Sequence, residues 1–148
     1  MDTFDTMNRF ITIRMDRVRA ENRVPAEEIP DLAVLAVTSS FKIAVTLVDI
    51  GVKEAKIRFP RSIGIDMINE MTTVLLDIRC RDKRFQIQGT LSPSSFESTL
   101  ETRQPRTAYF RCNPDSCREW TTISYWLQVQ WLKELERLES AAENLDLE

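Results

Sequence analysis

Apolar and polar positions alternate along this chain in two rhythms, and the change of rhythm marks out its elements. Between positions 41 and 91 the period is two. Phe41, Ile43, Val45 and Leu47 alternate with Lys42, Ala44, Thr46 and Val48, and after Asp49-Ile50-Gly51 the residues Ala55, Ile57 and Phe59 alternate with Glu54, Lys56 and Arg58. Successive side chains of a strand point to opposite faces, so each run predicts a half-buried strand and the pair a hairpin. A second hairpin is predicted where Val74, Leu76, Ile78 and Cys80 alternate with Leu75, Asp77 and Arg79. Arg81-Asp82-Lys83 makes its turn, and Phe85, Ile87 and Leu91 alternate with Arg84, Gln86, Gln88 and Thr90 on the return. Thr107 to Cys112 predicts a further strand, and Ile11, Ile13 and Met15 predict one beginning near Arg9, with helix as its competitor. Residues 31–38 hold the apolar run Leu32 to Val37, which suits either a short helix starting at Asp31 or a buried strand; periodicity does not separate the two. Pro60 ends the first hairpin, Ile65 to Met71 predicts a short helix, and Ser92 to Ser95 a loop before a turn through Phe96 to Leu100.

From Asn113 the rhythm becomes helical. Asn113 can cap, Pro114 stands where its missing N–H costs nothing, Asp115 faces the positive end of the helix dipole, and no Gly or Pro follows. From Trp120 to Leu132 the segment is apolar on nearly every side (Trp120, Ile123, Tyr125, Trp126, Leu127, Val129, Trp131, Leu132), which predicts burial. Beyond Lys133 the apolar set thins to one side. Trp131, Leu135, Leu138, Ala142 and Leu145 follow at steps of four, three, four and three, the alternation of core positions in a coiled coil. Such a stripe either packs on its own domain or meets a second helix, and about two heptads are fewer than a secure coiled coil needs. The expectation is a homodimer or higher homo-oligomer joined through these five residues. Strands gathered in the middle with helices at the ends predict an α+β fold, an antiparallel sheet of about five or six strands packed against a long C-terminal helix. Residues 1–133 form the globular part, including the buried half of that helix, and 134–148 an acidic amphipathic helical tail.

Composition narrows the class. At 148 residues, 43% hydrophobic and 29% charged, the chain suits one domain. Its longest apolar run is far short of the roughly twenty residues of a membrane span, and acidic Asp2 and Asp5 are unlike a signal-peptide start. An intracellular protein, cytoplasmic or nuclear, with no membrane contact, is expected, and Cys80, Cys112 and Cys117 are expected as reduced thiols. The net charge of −3 is uneven: residues 134–148 hold six acids against Arg137 and contribute −5, leaving +2 elsewhere. Fifteen of the twenty basic residues are Arg, which suits carboxylate, phosphate and aromatic partners.

Catalysis has little to work with. The absence of His removes the commonest general base and the Ser-His and Cys-His arrangements. Three scattered glycines build neither a P-loop nor a dinucleotide fingerprint. The carboxylate pairs Asp66/Glu70 and Asp49/Asp77 read as surface or turn residues. Cys112-Asn-Pro-Asp-Ser-Cys117, with Cys80 and Asp115 or Asp82, is too poor in ligands for a zinc site, so neither metal nor cofactor is expected. The remaining candidate is a surface for an anion, RNA or a protein partner: Arg9, Arg14, Arg17 and Arg19 near the N-terminus, and Lys56, Arg58, Arg79, Arg84, Tyr109 and Arg111 on the outward side of the sheet. The N-terminal arginines, with Arg23, could instead pair with Glu134, Glu136, Glu139 and Glu143. A non-enzymatic adaptor or accessory protein that binds through this Arg-rich surface follows; the alternative is an RNA-binding accessory protein, of the kind viruses encode, holding RNA by phosphate contacts.

Overall fold

A computed structural model of the chain describes residues 23–70, 72–93 and 106–147. Six strands carry the architecture: β1 (Leu32–Val37), β2 (Lys42–Ile50), β3 (Glu54–Arg58), β4 (Thr73–Cys80), β5 (Lys83–Pro93) and β6 (Thr107–Cys112). Among the described residues they are joined by helices α1 (Ile65–Glu70) and α2 (Cys117–Leu147). The expected antiparallel sheet and long C-terminal helix are both there. The sheet, however, is closed: its order is β1-β2-β3-β6-β5-β4, and β4 pairs back onto β1 with Leu32 opposite Cys80 and Val37 opposite Leu75. The segment that periodicity left open is therefore a strand, flanked by β2 on one edge and β4 on the other, with Val34 and Ala36 facing the core. Closure leaves no strand edge unpaired, which removes the usual route to edge-to-edge aggregation.

Inside the barrel stand Leu47, Ala55, Ile57, Leu76, Ile78, Ile87, Ala108 and Phe110, from strands whose alternate residues face out. The alternation breaks once. Leu47 lies opposite Ile57, but it is Asp49, not Val48, that comes opposite Lys56, so Val48 is an extra residue in β2. This bulge turns Asp49 to the outer face and Ile50 inward, as an inserted residue must when the period is two. Gly89 of β5, opposite Cys112, has its backbone close against Phe110: a Cβ there would stand 2.2 Å from the Arg111 carbonyl oxygen. The chain between β4 and β5 turns through Arg81 at φ 57°, and β1 is entered through Asp31 at φ 62°.

α2 leaves β6 and lies over the barrel rim where β1, β3 and β5 begin. Its two fully buried tryptophans anchor it. Trp120 donates its indole N–H to the Gly51 carbonyl at 3.2 Å and packs on Phe110, ring centres 5.7 Å apart. Trp131 donates to Glu28 at 3.1 Å, and Trp126 meets Phe85 edge-on at 5.5 Å. Buried indoles each with a hydrogen-bond acceptor both fill volume and fix orientation.

Three expectations need correcting. Asn113 makes no side-chain cap; the chain enters α2 through a 3₁₀ turn, Pro114–Ser116, closed by Ser116 N–H to the Asn113 carbonyl at 2.8 Å. The stretch 120–132 is not buried all round, for Tyr125 is 68% exposed. α2 also rests on the barrel by one side of that stretch, because the sheet offers it one rim and not an enclosing layer. The helix runs unbroken through positions 133 and 134, with Leu135 in the core, so the acidic end continues the same packed element. The strand expected near Arg9 and the turn expected at Phe96–Leu100 lie outside the described residues.

Candidate binding face

The outer face of β3 and β6 gathers the densest polar chemistry among the described residues. Pairing sets it out: Lys56 lies opposite Tyr109, Glu54 opposite Arg111 and Arg58 opposite Thr107, with all of these on the outward parity. The β2 bulge adds Asp49, and the chain preceding the barrel adds Arg23, whose strand-like neighbour Val24 bridges to Ile50.

Arg23 is the hub. Its Nε donates to Asp49 Oδ1 at 2.7 Å and its Nη2 to the same oxygen; Nη1 stands 3.6 Å from Glu54. The guanidinium carbon lies 5.9 Å from the centre of the Tyr109 ring, a cation over an aromatic face. Glu54 also reaches Arg111 at 3.7 Å, so one carboxylate serves two arginines. Arg58 pairs with Glu27 at 3.1 Å.

A second group lies apart, on β4 and β5. Asp77, only 3% exposed, accepts two hydrogen bonds from Arg84, both at 3.0 Å, and one from Arg79 at 3.2 Å. The Arg84 hydrogen bonds hold the Asp77 carboxyl below the usual carboxylate range, against the opposing push of burial, and Arg79 adds to the lowering. Arg84 in turn is raised by Asp77.

The candidate surface residues are thus brought together only in part. Lys56, Arg58, Tyr109 and Arg111 share one face; Arg79 and Arg84 clasp a buried carboxylate on β4 and β5; Arg9, Arg14, Arg17 and Arg19 lie outside the described residues. Every described arginine of the set is paired with a carboxylate, which leaves Lys56 as the one cation of the set for which the described residues give no ion pair. Arg23 pairs with Asp49 and Glu54, not with the tail, and Glu134 pairs with Arg137 at 2.6 Å. Asp49 and Asp77, considered as a carboxylate pair, are each held by arginines instead. Sequence reasoning did not single out Arg23, Asp49 and Glu54 as site residues, and the signal was present: Asp49 breaks the inward parity of Ile43, Val45 and Leu47, as a bulge would require.

Four of the five residues of the heptad stripe are buried or half-buried within the single chain. Trp131 is 1% exposed, Leu135 6% and Ala142 2% in the single chain, and Leu138 is half-buried against the core. Leu145 lies within α2. Packing on its own domain, the simpler reading of the spacing, accounts for Trp131, Leu135 and Leu138.

Cys80 is buried and its thiol donates to the Pro30 carbonyl at 3.7 Å, while Cys112 is buried and Cys117 exposed. No group of three or more metal-ligating side chains occurs among the described residues, and no helix there is long and apolar enough to cross a membrane.

No family model matches the sequence. No curated protein matches it either. Among solved structures, the fold resembles the PilZ domain of YcgR from Escherichia coli, described with c-di-GMP: 11% identity, TM-score 0.55, covering 77% of this chain and 94% of that one. Weaker likenesses are to the PlzA protein of Borreliella burgdorferi in complex with c-di-GMP, at 10% identity and TM-score 0.47, and to the inhibitor of motility MotI/DgrA of Bacillus subtilis, at 10% identity and TM-score 0.46. They cover 86% and 75% of this chain and 58% and 50% of those two. The six-stranded barrel with its C-terminal helix is therefore a PilZ-like fold.

Proposed function

We propose that this chain is a non-catalytic binding module, an adaptor that engages a protein partner through the outer face of β3 and β6. The observation that carries the reading is the mixed-charge network Asp49–Arg23–Glu54–Arg111, set around Tyr109 and Lys56 on a rigid barrel wall. A face with arginines, carboxylates and an aromatic at its centre offers a protein surface both signs of charge to complement, and Arg and Tyr are the residue types that most often dominate such interfaces. Rigid placement on paired strands limits the ordering cost of binding. The same pairing weakens the RNA reading, since carboxylates neutralise the arginines that would have to track phosphates.

A second reading is favoured by one specific observation, the cation–π contact of Arg23 with Tyr109 within a fold like that of a domain described with c-di-GMP. A phosphodiester of that kind would have to displace Asp49 and Glu54 from Arg23. Calorimetric titration with c-di-GMP separates the readings. The adaptor reading expects no heat of binding from the wild type; saturable binding that Arg23→Ala abolishes would put the dinucleotide reading first. For the adaptor itself, the test is whether Lys56→Glu, a charge reversal at an outward position, releases a protein that wild-type bait retains.

A further inference from the structure

We propose that Cys112 and Cys117 form a reversible dithiol–disulfide site, oxidised by hydroperoxides, at the junction of β6 and α2. The two residues bracket the Asn113–Ser116 connection, one at the last position of β6 and the other at the first of α2. Both line a groove of about 370 Å³ together with Val52, Lys53, Arg111 and Trp120. They differ in access: Cys117 is exposed, whereas Cys112 is 8% exposed. Burial, and after it the neighbouring Cys117, pushes the Cys112 thiol up. An accessible sulfur at a helix start beside a buried one divides the work of a redox pair, the first attacking and the second resolving.

The steps balance. The Cys117 thiolate attacks one oxygen of hydrogen peroxide; an S–O bond forms, the O–O bond breaks, and hydroxide leaves and is protonated. Lys53 and Arg111 line the same groove and supply positive charge there. The Cys112 sulfur then loses its proton and attacks Cys117; an S–S bond forms, the S–O bond breaks, and a second water leaves. Two thiols and one peroxide give one disulfide and two waters, with sulfur oxidised and peroxide oxygen reduced. Cys80, buried beneath Pro30, takes no part and serves as an internal control.

The sequence itself supplies the assay. Arg111 and Arg118 flank the site, so trypsin releases Cys112–Arg118 as a single peptide holding both cysteines. Treating the folded protein with dilute hydrogen peroxide, then alkylating and digesting, should yield this peptide unalkylated and two hydrogens lighter, restored by dithiothreitol, while Cys80 remains a free thiol. Cys117→Ser should slow peroxide consumption roughly tenfold, because the remaining sulfur of the pair is shielded. Cys112→Ser should convert Cys117 to higher oxygen adducts or a mixed disulfide, having lost its resolving partner. The proposal is overturned if the wild-type peptide carries oxygen adducts on Cys117 alone, links to another chain, or survives unmodified; this outcome is read on the wild type and needs no variant to fold.

Discussion

Replacing Gly89 by Ala is the sharpest test of how the barrel wall is assembled. A methyl group at this position would stand 2.2 Å from the Arg111 carbonyl oxygen and 2.5 Å from Cζ of Phe110. Ordinary contact between such atoms lies near 3.5–4.0 Å. The carbonyl belongs to β6, which is paired on both sides, by β3 and β5, so it cannot retreat without disturbing two ladders. The ring is fully buried and is held against Trp120. Overpacking typically costs about 1–3 kcal/mol, and two overlaps, one of them with backbone, place this substitution near the upper end, about 3 kcal/mol. At roughly 2–4 °C per kcal/mol for a chain of this size, the melting temperature should fall by roughly 6–12 °C. Thermal unfolding followed by circular dichroism and by tryptophan fluorescence measures it, with the neighbouring outward residue as control: Thr90→Ala should melt close to wild type. In a Phe110→Leu background the cost of Gly89→Ala should shrink, since one of its two overlaps is gone. A Gly89→Ala variant melting within about 1 °C of wild type would refute the close approach. It would also undo the β5–β6 register that places Tyr109 and Arg111 on the candidate face.

Other expectations follow from individual contacts. Asp77 is held below its ordinary pKa by Arg84 and Arg79, so its stabilising contribution is present above the usual carboxylate range near about 4 and is lost as pH falls through the lower folded value. Melting temperatures measured down an acid series should therefore fall more steeply for wild type than for Asp77→Asn. Trp120→Ala removes a buried ring and its hydrogen bond to Gly51, and should cost on the order of 3–5 kcal/mol in chemical denaturation. Deleting residues 134–148 removes the buried Leu135 and Ala142; a buried leucine alone stabilises by about 1.5–3 kcal/mol, so the shortened chain should melt several degrees lower instead of behaving as a body freed of its tail. Because Trp131, Leu135 and Ala142 are buried within one chain, the melting temperature of wild type should not change with protein concentration; a rise on concentrating would restore self-association.

How far the sequence was legible depended on whether the deciding interaction was local. The strands of both hairpins and β6 could be read because their alternation is carried by neighbours two apart, and α2 because Pro114 marks its start and no Gly or Pro interrupts the apolar spacing that follows. Leu32–Val37 could not be assigned, since its outward positions Ala33, Leu35 and Val37 are apolar as well as its inward Val34 and Ala36, and only its partners, Val45 and Ile78 opposite Val34, make it β. Closure of the sheet depends on that same long-range pairing. For the candidate face, parity placed Lys56, Arg58, Tyr109 and Arg111 correctly on the outside. What it missed was Arg23, Asp49 and Glu54, because Asp49 reaches the face only through the Val48 bulge and Arg23 only through contacts 26 residues away. Charge counting saw the arginines but not their carboxylate partners, and it is these that turn a basic patch into a mixed-charge one. The stripe Trp131, Leu135, Leu138, Ala142, Leu145 looked the same whether it faced its own barrel or another helix, since spacing states which residues share a side and not what covers it.

The central claim, that binding occurs on the outer face of β3 and β6, is tested most directly by site-specific photocrosslinking. A photoreactive phenylalanine is installed at Tyr109 in one version of the protein and at Ser140, exposed on α2, in another, and each is irradiated in cells of the source organism. The account predicts a discrete crosslinked protein from position 109, absent from position 140 and lost when Lys56→Glu is added. Crosslinks from position 140 with none from position 109, or a 109 crosslink indifferent to Lys56→Glu, would contradict it.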